Sequence, residues 1–182
     1  MRGDRADGRP APMIVVREVR PEEHEALGRI TVDAYLQIPG IAGHDDYLAE
    51  LADVAGRAAL VPVLVAVDDA DGRVLGGVAY VPGPGPLAES EGPDEAGFRM
   101  LAVAPGAQGR GVGRALAEAC VARARAAGRQ RLVLLTLPAM TAAQALYASL
   151  GFEREPSIDW EYEPGRWLWG FALGLGPAST DR

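Results

Sequence analysis

The 182-residue chain contains no lysine: all 18 of its basic side chains are arginines. A Schiff-base lysine and the Gly-Lys-Ser/Thr of a nucleotide-binding P-loop are therefore excluded. A single cysteine, Cys120, rules out an internal disulfide framework and a cysteine-based zinc cluster, and no metal is expected. The two histidines, His24 and His44, stand alone and read as surface or helix-start residues, with no Ser/His/Asp spacing that would suggest a hydrolase. No apolar run approaches the roughly 18 residues of a membrane span, and no signal peptide with an apolar core is visible. A soluble cytoplasmic protein that does not engage membranes is the expectation. The 18 basic residues face 25 acidic ones, a net charge of −7. That argues against a nucleic-acid surface, which needs a basic stripe. It mildly favours cationic partners.

What is present is enough for one globular domain, with 48% apolar and 24% charged residues. Residues 1–12 are charged, aperiodic and Gly/Pro-containing, the composition of a disordered tail. The domain is expected over 13–175, with a C-terminal tail over 176–182. "MIVVREV" (13–19) reads as a strand, and Pro21 suits the first turn of a helix reaching about Leu36. A second helix is expected over 45–60, from Tyr47, Leu48, Leu51, Val54 and Ala55 at helical spacing. Strands over 61–67 and 73–81 flank "DDADG", a hairpin signal with Gly72 at the turn. Residues 82–94 are too rich in Pro and Gly for regular structure and form a long loop of the kind that is often functional.

Beyond that loop, "FRMLAV" resumes a strand, and an alanine-rich helix runs on to Gly128, a C′ residue. "RLVLLTL" (131–137) is nearly all apolar, as in a central strand. Thr141 and Gln144 fit a capping box for a short helix whose stripe is Ala143, Leu146, Tyr147 and Leu150, ended by Gly151. Strands open at Phe152 and over 166–175, the last after a Pro164-Gly165 turn. The order β-α-α-β-β-β-α-β-α-β-β is that of an α/β domain, a mixed sheet flanked by helices.

Between strand and helix lies "LAVAPGAQGRGVGRAL", with glycines at 109, 111 and 113. A helix N-terminus offers amides without intrahelical partners and the positive end of the macrodipole, a setting for phosphate. Glycine permits the φ values such a nest of amides requires. The dinucleotide fingerprint G-x-G-x-x-G fails, because Arg114 stands where the third glycine belongs and the next strand ends in Thr136-Leu137-Pro138 without an acid.

What remains, Gln108-Gly109-Arg110-Gly111-Val112-Gly113 after an "L-x-V-x-P" strand, resembles the acetyl-CoA loop of the GNAT superfamily of N-acetyltransferases. "TAAQALYASLGFER" is similar to that family's second landmark, about thirty residues on, and the element order is also the family's. The resemblance implies a GNAT-like fold over 13–175 and acetyl-CoA as co-substrate. Acetyl would pass to an amine by direct attack in a ternary complex. It implies a pyrophosphate cradle from Gln108 and the amides of Gly109, Arg110, Gly111, Val112, Gly113 and Arg114. Leu101 and Val103 would offer backbone groups to pantetheine, which requires their strand to part from "RLVLLTL".

Tyr147 stands at the family's general-acid tyrosine, and a phenol of pKa about 10 can protonate a departing thiolate. It also lies on an apolar helix stripe, as a core tyrosine would. Many relatives carry Glu on the strand before the loop, aligned with Gly97. Glu95 lies on the same strand face two residues earlier and is the first candidate base; a solvated carboxylate is the alternative. Asp94, Asp159 and Glu161 are reserves, and Met140 replaces an asparagine that relatives place near CoA. The amine acceptor, expected to be cationic, is not specified further.

Two rival readings accompany the enzyme. One is a non-catalytic acyl-CoA-binding module of the same fold. The other is an adaptor using Trp160, Trp167 and Trp169, although the alternation of 167 and 169 suits one strand face in a packed sheet or at a homodimer seam. Cys120 reads as a core residue.

Overall fold

The computed structural model describes residues 13–39 and 44–176. The expected tail over 1–12, and all of the expected tail over 176–182 except Gly176, lie outside the described residues. β1 (Ile14–Glu18), β2 (Val63–Asp68), β3 (Val74–Val81) and β4 (Glu95–Val103) form an antiparallel run. β5 (Arg131–Thr136) then joins β4 in parallel. Short β6 (Glu153–Arg154) and β7 (Trp160–Glu163) both pair with β8 (Arg166–Gly174), which lies antiparallel beside β5. The mixed α/β sheet expected from the sequence is therefore present. β7, which the sequence did not disclose, adds a hairpin closed by Gly165 (φ 75).

Helices cover both faces of the sheet. α1 (His24–Leu36), α2 (Asp45–Ala52) and α3 (Val54–Leu60) lie on one side. α4 (Val112–Ala126) and α5 (Thr141–Ser149) lie on the other. α4 buries Val112, Leu116, Ala117, Cys120, Val121 and Ala124, one stripe at 3.6-residue spacing, against Leu64, Ala66, Leu75 and Val78 of the sheet. Cys120 is fully buried there, a core residue as its setting implied. The opposite face is sealed by Leu27, Val54, Val61, Val63 and Ala79.

The expected 45–60 helix is two helices. Its apolar spacing continues through Asp53, but Asp53 leaves the helical region (φ −79, ψ 72) and its carboxylate accepts the Gly56 amide at 2.8 Å, capping α3. Buried Arg57 closes the break, donating to the carbonyls of Leu51 (2.9 Å) and Glu50 at the end of α2. The capping box at Thr141 is also corrected. Met140 occupies the N-cap, Thr141 is already helical, and the Gln144 amide donates instead to the carbonyls of Leu137 (3.1 Å) and Pro138 (3.0 Å). α5 ends as the sequence predicts: Gly151 donates to the Ala148 carbonyl and Phe152 to that of Tyr147, a Schellman pair.

Glu23 ties β1 to the entry of α1. It accepts two hydrogen bonds from the Arg17 guanidinium (2.6 and 2.8 Å) and one from the Arg20 amide (2.8 Å). The Arg17 bonds, aided by the Arg20 amide, hold its carboxyl below the ordinary glutamate range. A carboxyl with a lowered folded-state pKa contributes stability that is complete above its unfolded pKa and fades as pH falls through the folded one. Glu23→Gln should therefore be less stable than the wild type at neutral pH. The gap in melting temperature should hold down to about pH 5 and narrow below the ordinary glutamate value of about 4.3. Thermal unfolding of both proteins from pH 7 to pH 3 checks this, and a pH-independent gap would refute it.

Candidate functional site

β4 and β5 pair only through Glu95↔Arg131, Ala96↔Leu132 and Gly97↔Val133. Beyond Gly97 they diverge, and the cause lies in β4. Ala79 pairs with Arg99 and Gly77 with Ala102, so Met100 and Leu101 together face the single residue Val78, a β-bulge. Met100 takes the left-handed conformation this requires (φ 54). The bulge also resets the side-chain alternation. Met100 turns into the opening between the strands, while Leu101 and Val103 pack toward α4 and α5. Ala104 donates to the Leu75 carbonyl on the β3 side at 2.8 Å. By alternation the backbone groups of Val103 and Leu101 point the other way, into the opening.

β4 leads through Pro105–Ala107 into the glycine loop. Gly109 (φ 74) and Gly111 (φ 83) are left-handed, and Gly111 is the N-cap of α4. The first amide of the helix to find a backbone acceptor is that of Ala115, which donates to the Gly111 carbonyl at 3.0 Å. The amides of residues 109–114 have no acceptor among the described residues. Six bare amides thus stand at the positive end of a 15-residue helix. Two guanidiniums secure the loop at its flanks. Arg110 pairs with Asp68 at the end of β2 (3.2 Å), and Arg114 donates to Ser149 Oγ on α5 (2.7 Å). A Cβ at Gly109 or Gly111 would meet no atom within 4 Å, so the cradle is open on that side.

Between the strands runs a narrow crevice of about 30 Å³ whose wall includes Phe98, Leu101, Leu134 and Tyr147. It shares Tyr35, Arg99, Met100, Leu135, Thr136 and Met140 with a larger cavity of about 360 Å³ on the α1–α2 side. That cavity is lined by Tyr35, Tyr47, Trp160 and Tyr162, by the acids Glu50, Glu89 and Glu163, and by Arg99 and Arg166. Arg99 forms an ion pair with Glu89 and also donates to the Leu87 carbonyl (3.2 Å). Arg166 pairs with Glu163 at 2.9 Å. Burial pushes the Glu89 carboxyl above the ordinary range, with Arg99 opposing and the Glu91 and Glu50 charges adding to the rise.

The sequence-derived candidates separate on this geometry. Leu101 and Val103 on β4 lead in chain order, through residues 104–107, to residues 108–114 of the glycine loop. Tyr147 is 5% exposed and its ring sits among Phe98, Phe152 and Phe171 at 5.7–6.4 Å. It nevertheless borders the crevice, and desolvation raises its phenol well above the ordinary value. Glu95 is not brought to the cavity. It shares the strand face of Arg99 as expected, but four residues back, about 13 Å along an extended strand. There the sheet is closed and its carboxylate is held by Arg131 (2.9 Å) and the Gly92 amide (2.9 Å).

The reserves are also engaged elsewhere. Asp159 binds Arg154 and the Gly170 amide, Glu161 accepts the Gly165 amide of the hairpin, and Asp94, like both of them, is not in the cavity lining. Of the three carboxylates in the cavity lining, Glu89 sits on the loop that was marked as functional, and sequence reasoning missed it. Met140 lines both spaces and receives a hydrogen bond from Thr136 Oγ1 at 3.5 Å. His44 starts α2 as expected and also borders the cavity. Trp160 faces the cavity with Leu168, whereas Trp167 and Trp169 share the opposite face of β8, where Arg154 stacks 5.0 Å over Trp169.

The same architecture recurs in solved structures. A GCN5-related N-acetyltransferase from Kribbella flavida superposes with a TM-score of 0.65 at 26% identity, covering 88% of this chain and 97% of its own. A GNAT family acetyltransferase from Brucella melitensis, in complex with acetyl-CoA, aligns at 25% identity with a TM-score of 0.61, covering 92% of both chains. The ribosomal-protein-S18-alanine N-acetyltransferase from Escherichia coli shares the fold at 20% identity and a TM-score of 0.63, over 93% of this chain and 99% of its own. No curated protein sequence matches the chain significantly. Among the described residues no helix is long and apolar enough to cross a membrane. Residues 15–152 match the acetyltransferase (GNAT) family model, and the chain belongs to that family.

Proposed function

We propose that the protein is an acetyl-CoA-dependent N-acetyltransferase that acts in a ternary complex. The observation that carries this is the continuity of three features: the bare amides of 109–114, the crevice between β4 and β5, and a cavity holding a carboxylate of raised pKa. The cradle amides suit the pyrophosphate of acetyl-CoA, because they lack backbone acceptors at a helix N-terminus and glycines leave the approach open. The backbone groups of Leu101 and Val103 suit the amides of pantetheine, as an added strand would. That track delivers a thioester to the crevice beside Tyr147 and Met100.

An amine entering from the cavity arrives protonated and must lose a proton before it attacks. Glu89 accepts that proton, and its raised pKa narrows the gap to the amine. The new C–N bond forms as the C–S bond breaks, the Tyr147 hydroxyl gives its proton to the departing sulfur, and the nitrogen sheds its second proton to solvent as it becomes an amide. Solvent then restores the tyrosine proton. Burial keeps Tyr147 protonated at neutral pH, the state an acid requires. Two of the three cavity acids are matched by arginines, and Glu50 has no ion-pair partner among the described residues. With four aromatic rings in the wall, that surplus favours a cationic amine on an apolar or aromatic body.

Three variants test the assignment. Gly111→Ala forces an alanine into left-handed backbone at about 1–2 kcal/mol. Acetyl-CoA affinity should therefore fall about tenfold or more in calorimetry, with an unchanged circular dichroism spectrum. Undiminished affinity would remove the loop from the binding site. Tyr147→Phe keeps the ring in its aromatic cluster, so its melting temperature should barely move while kcat drops about 10²–10⁴-fold at constant acetyl-CoA KM. An unaltered kcat, with chemistry limiting turnover, would return Tyr147 to packing alone. Glu89→Gln should lose a similar factor and the acidic limb of the kcat/KM profile. A wild type that binds acetyl-CoA but turns over no member of an amine library would instead establish the binding-module reading.

A further inference from the structure

The loop between β3 and β4 sends two carboxylates in different directions. Glu89 reaches the cavity, whereas Glu91 folds back on its own backbone. Its Oε2 accepts the amides of Glu89 (2.7 Å) and Ser90 (3.0 Å). Its Oε1 lies over Gly97, 2.0 Å from where a Cβ at that position would stand. Gly97 is not in left-handed backbone, so conformation does not call for glycine there. Space does. Gly97 is buried, and it is the last residue through which β4 holds β5 before the strands part. The volume of its missing side chain is filled by the head of Glu91.

We infer that Glu91 is a positioning residue for Glu89: seated in the notch at Gly97, it fixes the backbone of 89–90 and so aims the Glu89 carboxylate at the acceptor amine. The inference rests on the proposal that Glu89 is the base. On either side the loop has other anchors. Arg99 holds the Leu87 carbonyl (3.2 Å), Ala88 donates to the Gly85 carbonyl (3.1 Å), and the Gly92 amide is bound by Glu95 (2.9 Å). For residues 89–91 the two bonds to Glu91 are the only backbone hydrogen bonds among the described residues. Without them the segment carrying the base is tethered only by the Arg99 ion pair. A displacement of about 1 Å at a reacting group is enough to cost about 10²-fold in rate.

Glu91 also acts on Glu89 through charge. The groups facing Glu89 are Arg99 from β4, Tyr35 from α1, Tyr47 and Glu50 from α2, and Glu91 from its own loop. His44, Glu163 and Arg166 line the same cavity. Burial and the negative neighbours favour the protonated carboxyl, and Arg99 opposes them. Removing the Glu91 charge therefore shifts the Glu89 titration to lower pH and weakens it as a base.

The test compares Glu91→Gln and Glu91→Ala with wild type, each also in a Glu89→Gln background. Gly97→Ala would crowd the Val133 carbonyl at 3.0 Å as well, so the Glu91 variants carry the experiment and melting temperature monitors their fold. Expected are an unchanged acetyl-CoA KM, a kcat loss of about tenfold for Glu91→Gln and up to 10²-fold for Glu91→Ala, and an acid limb displaced to lower pH. In the Glu89→Gln background the Glu91 substitutions should add nothing. Carbon-13 titration of the Glu89 carboxyl, identified by its loss in Glu89→Gln, reads the coupling without any turnover. A titration that moves in Glu91→Gln supports the positioning role even if no amine is acetylated, an outcome that would sink the catalytic reading alone. A Glu89 titration and a kcat that ignore both Glu91 substitutions overturn the inference, as do Glu91 effects that persist in full without Glu89.

Discussion

A strand can be paired on both edges only if its backbone stays regular, and β4 does not. The two-against-one bulge at Met100 breaks its pairing with β5 just past Gly97↔Val133, and every part of the site follows from that parting. The left-handed methionine costs about 1–2 kcal/mol. Met100 is 7% exposed, and burying a side chain of that size stabilises by about 1.5–3 kcal/mol, so packing outweighs the strain. The opening then exposes a strand edge that would otherwise be a liability. Here the edge is short, lies inside the fold, and points its free groups along a path that ends at the α4 cradle.

Electrostatics divides the site into two signs. The loop end is positive without any lysine, through bare amides and a helix terminus, with Arg110 and Arg114 diverted to anchoring. The cavity end is negative by one carboxylate, because Arg99 and Arg166 each answer one acid and Glu50 remains. On the proposed reaction, an anionic co-substrate and a cationic acceptor would be drawn to opposite ends of one channel. Glu89 lies where they meet, with its charge kept in the cavity by a guanidinium that also holds its loop. Such a pair limits the desolvation cost of the carboxylate without removing its ability to accept a proton.

The parts of this arrangement that local chemistry dictates were legible in the sequence. Alternating glycines before an alanine-rich helix, an apolar central strand, and Gly128 and Gly151 at helix ends each act within a few residues of themselves. The parts that depend on tertiary partners were not. The break at Asp53 hides because the apolar period runs straight through it, and it is resolved by Arg57 reaching back to the end of α2. Glu95 and Glu89 are six residues apart and chemically identical. What separates them is which arginine each meets, Arg131 in the closed sheet or Arg99 at the opening. Arg99, on the strand face predicted for catalysis and next to a long loop, was the signal that could have led to Glu89. β7 escaped notice because its four residues are mostly exposed and carry no strong pattern.

The cationic positions around the channel, Arg99, Arg110, Arg114 and Arg166, are all guanidiniums, in a chain without a single ε-amine. A guanidinium remains protonated across the whole working range and has no lone pair to offer a thioester. On the proposed reaction, an activated acetyl group held in this cleft would therefore meet no amine on these four cationic side chains, and the nucleophilic nitrogen in the cavity lining is the imidazole of His44. On that reaction the protein would steer and anchor charge beside its acylating agent through guanidiniums that do not themselves compete with the incoming amine for the acetyl group.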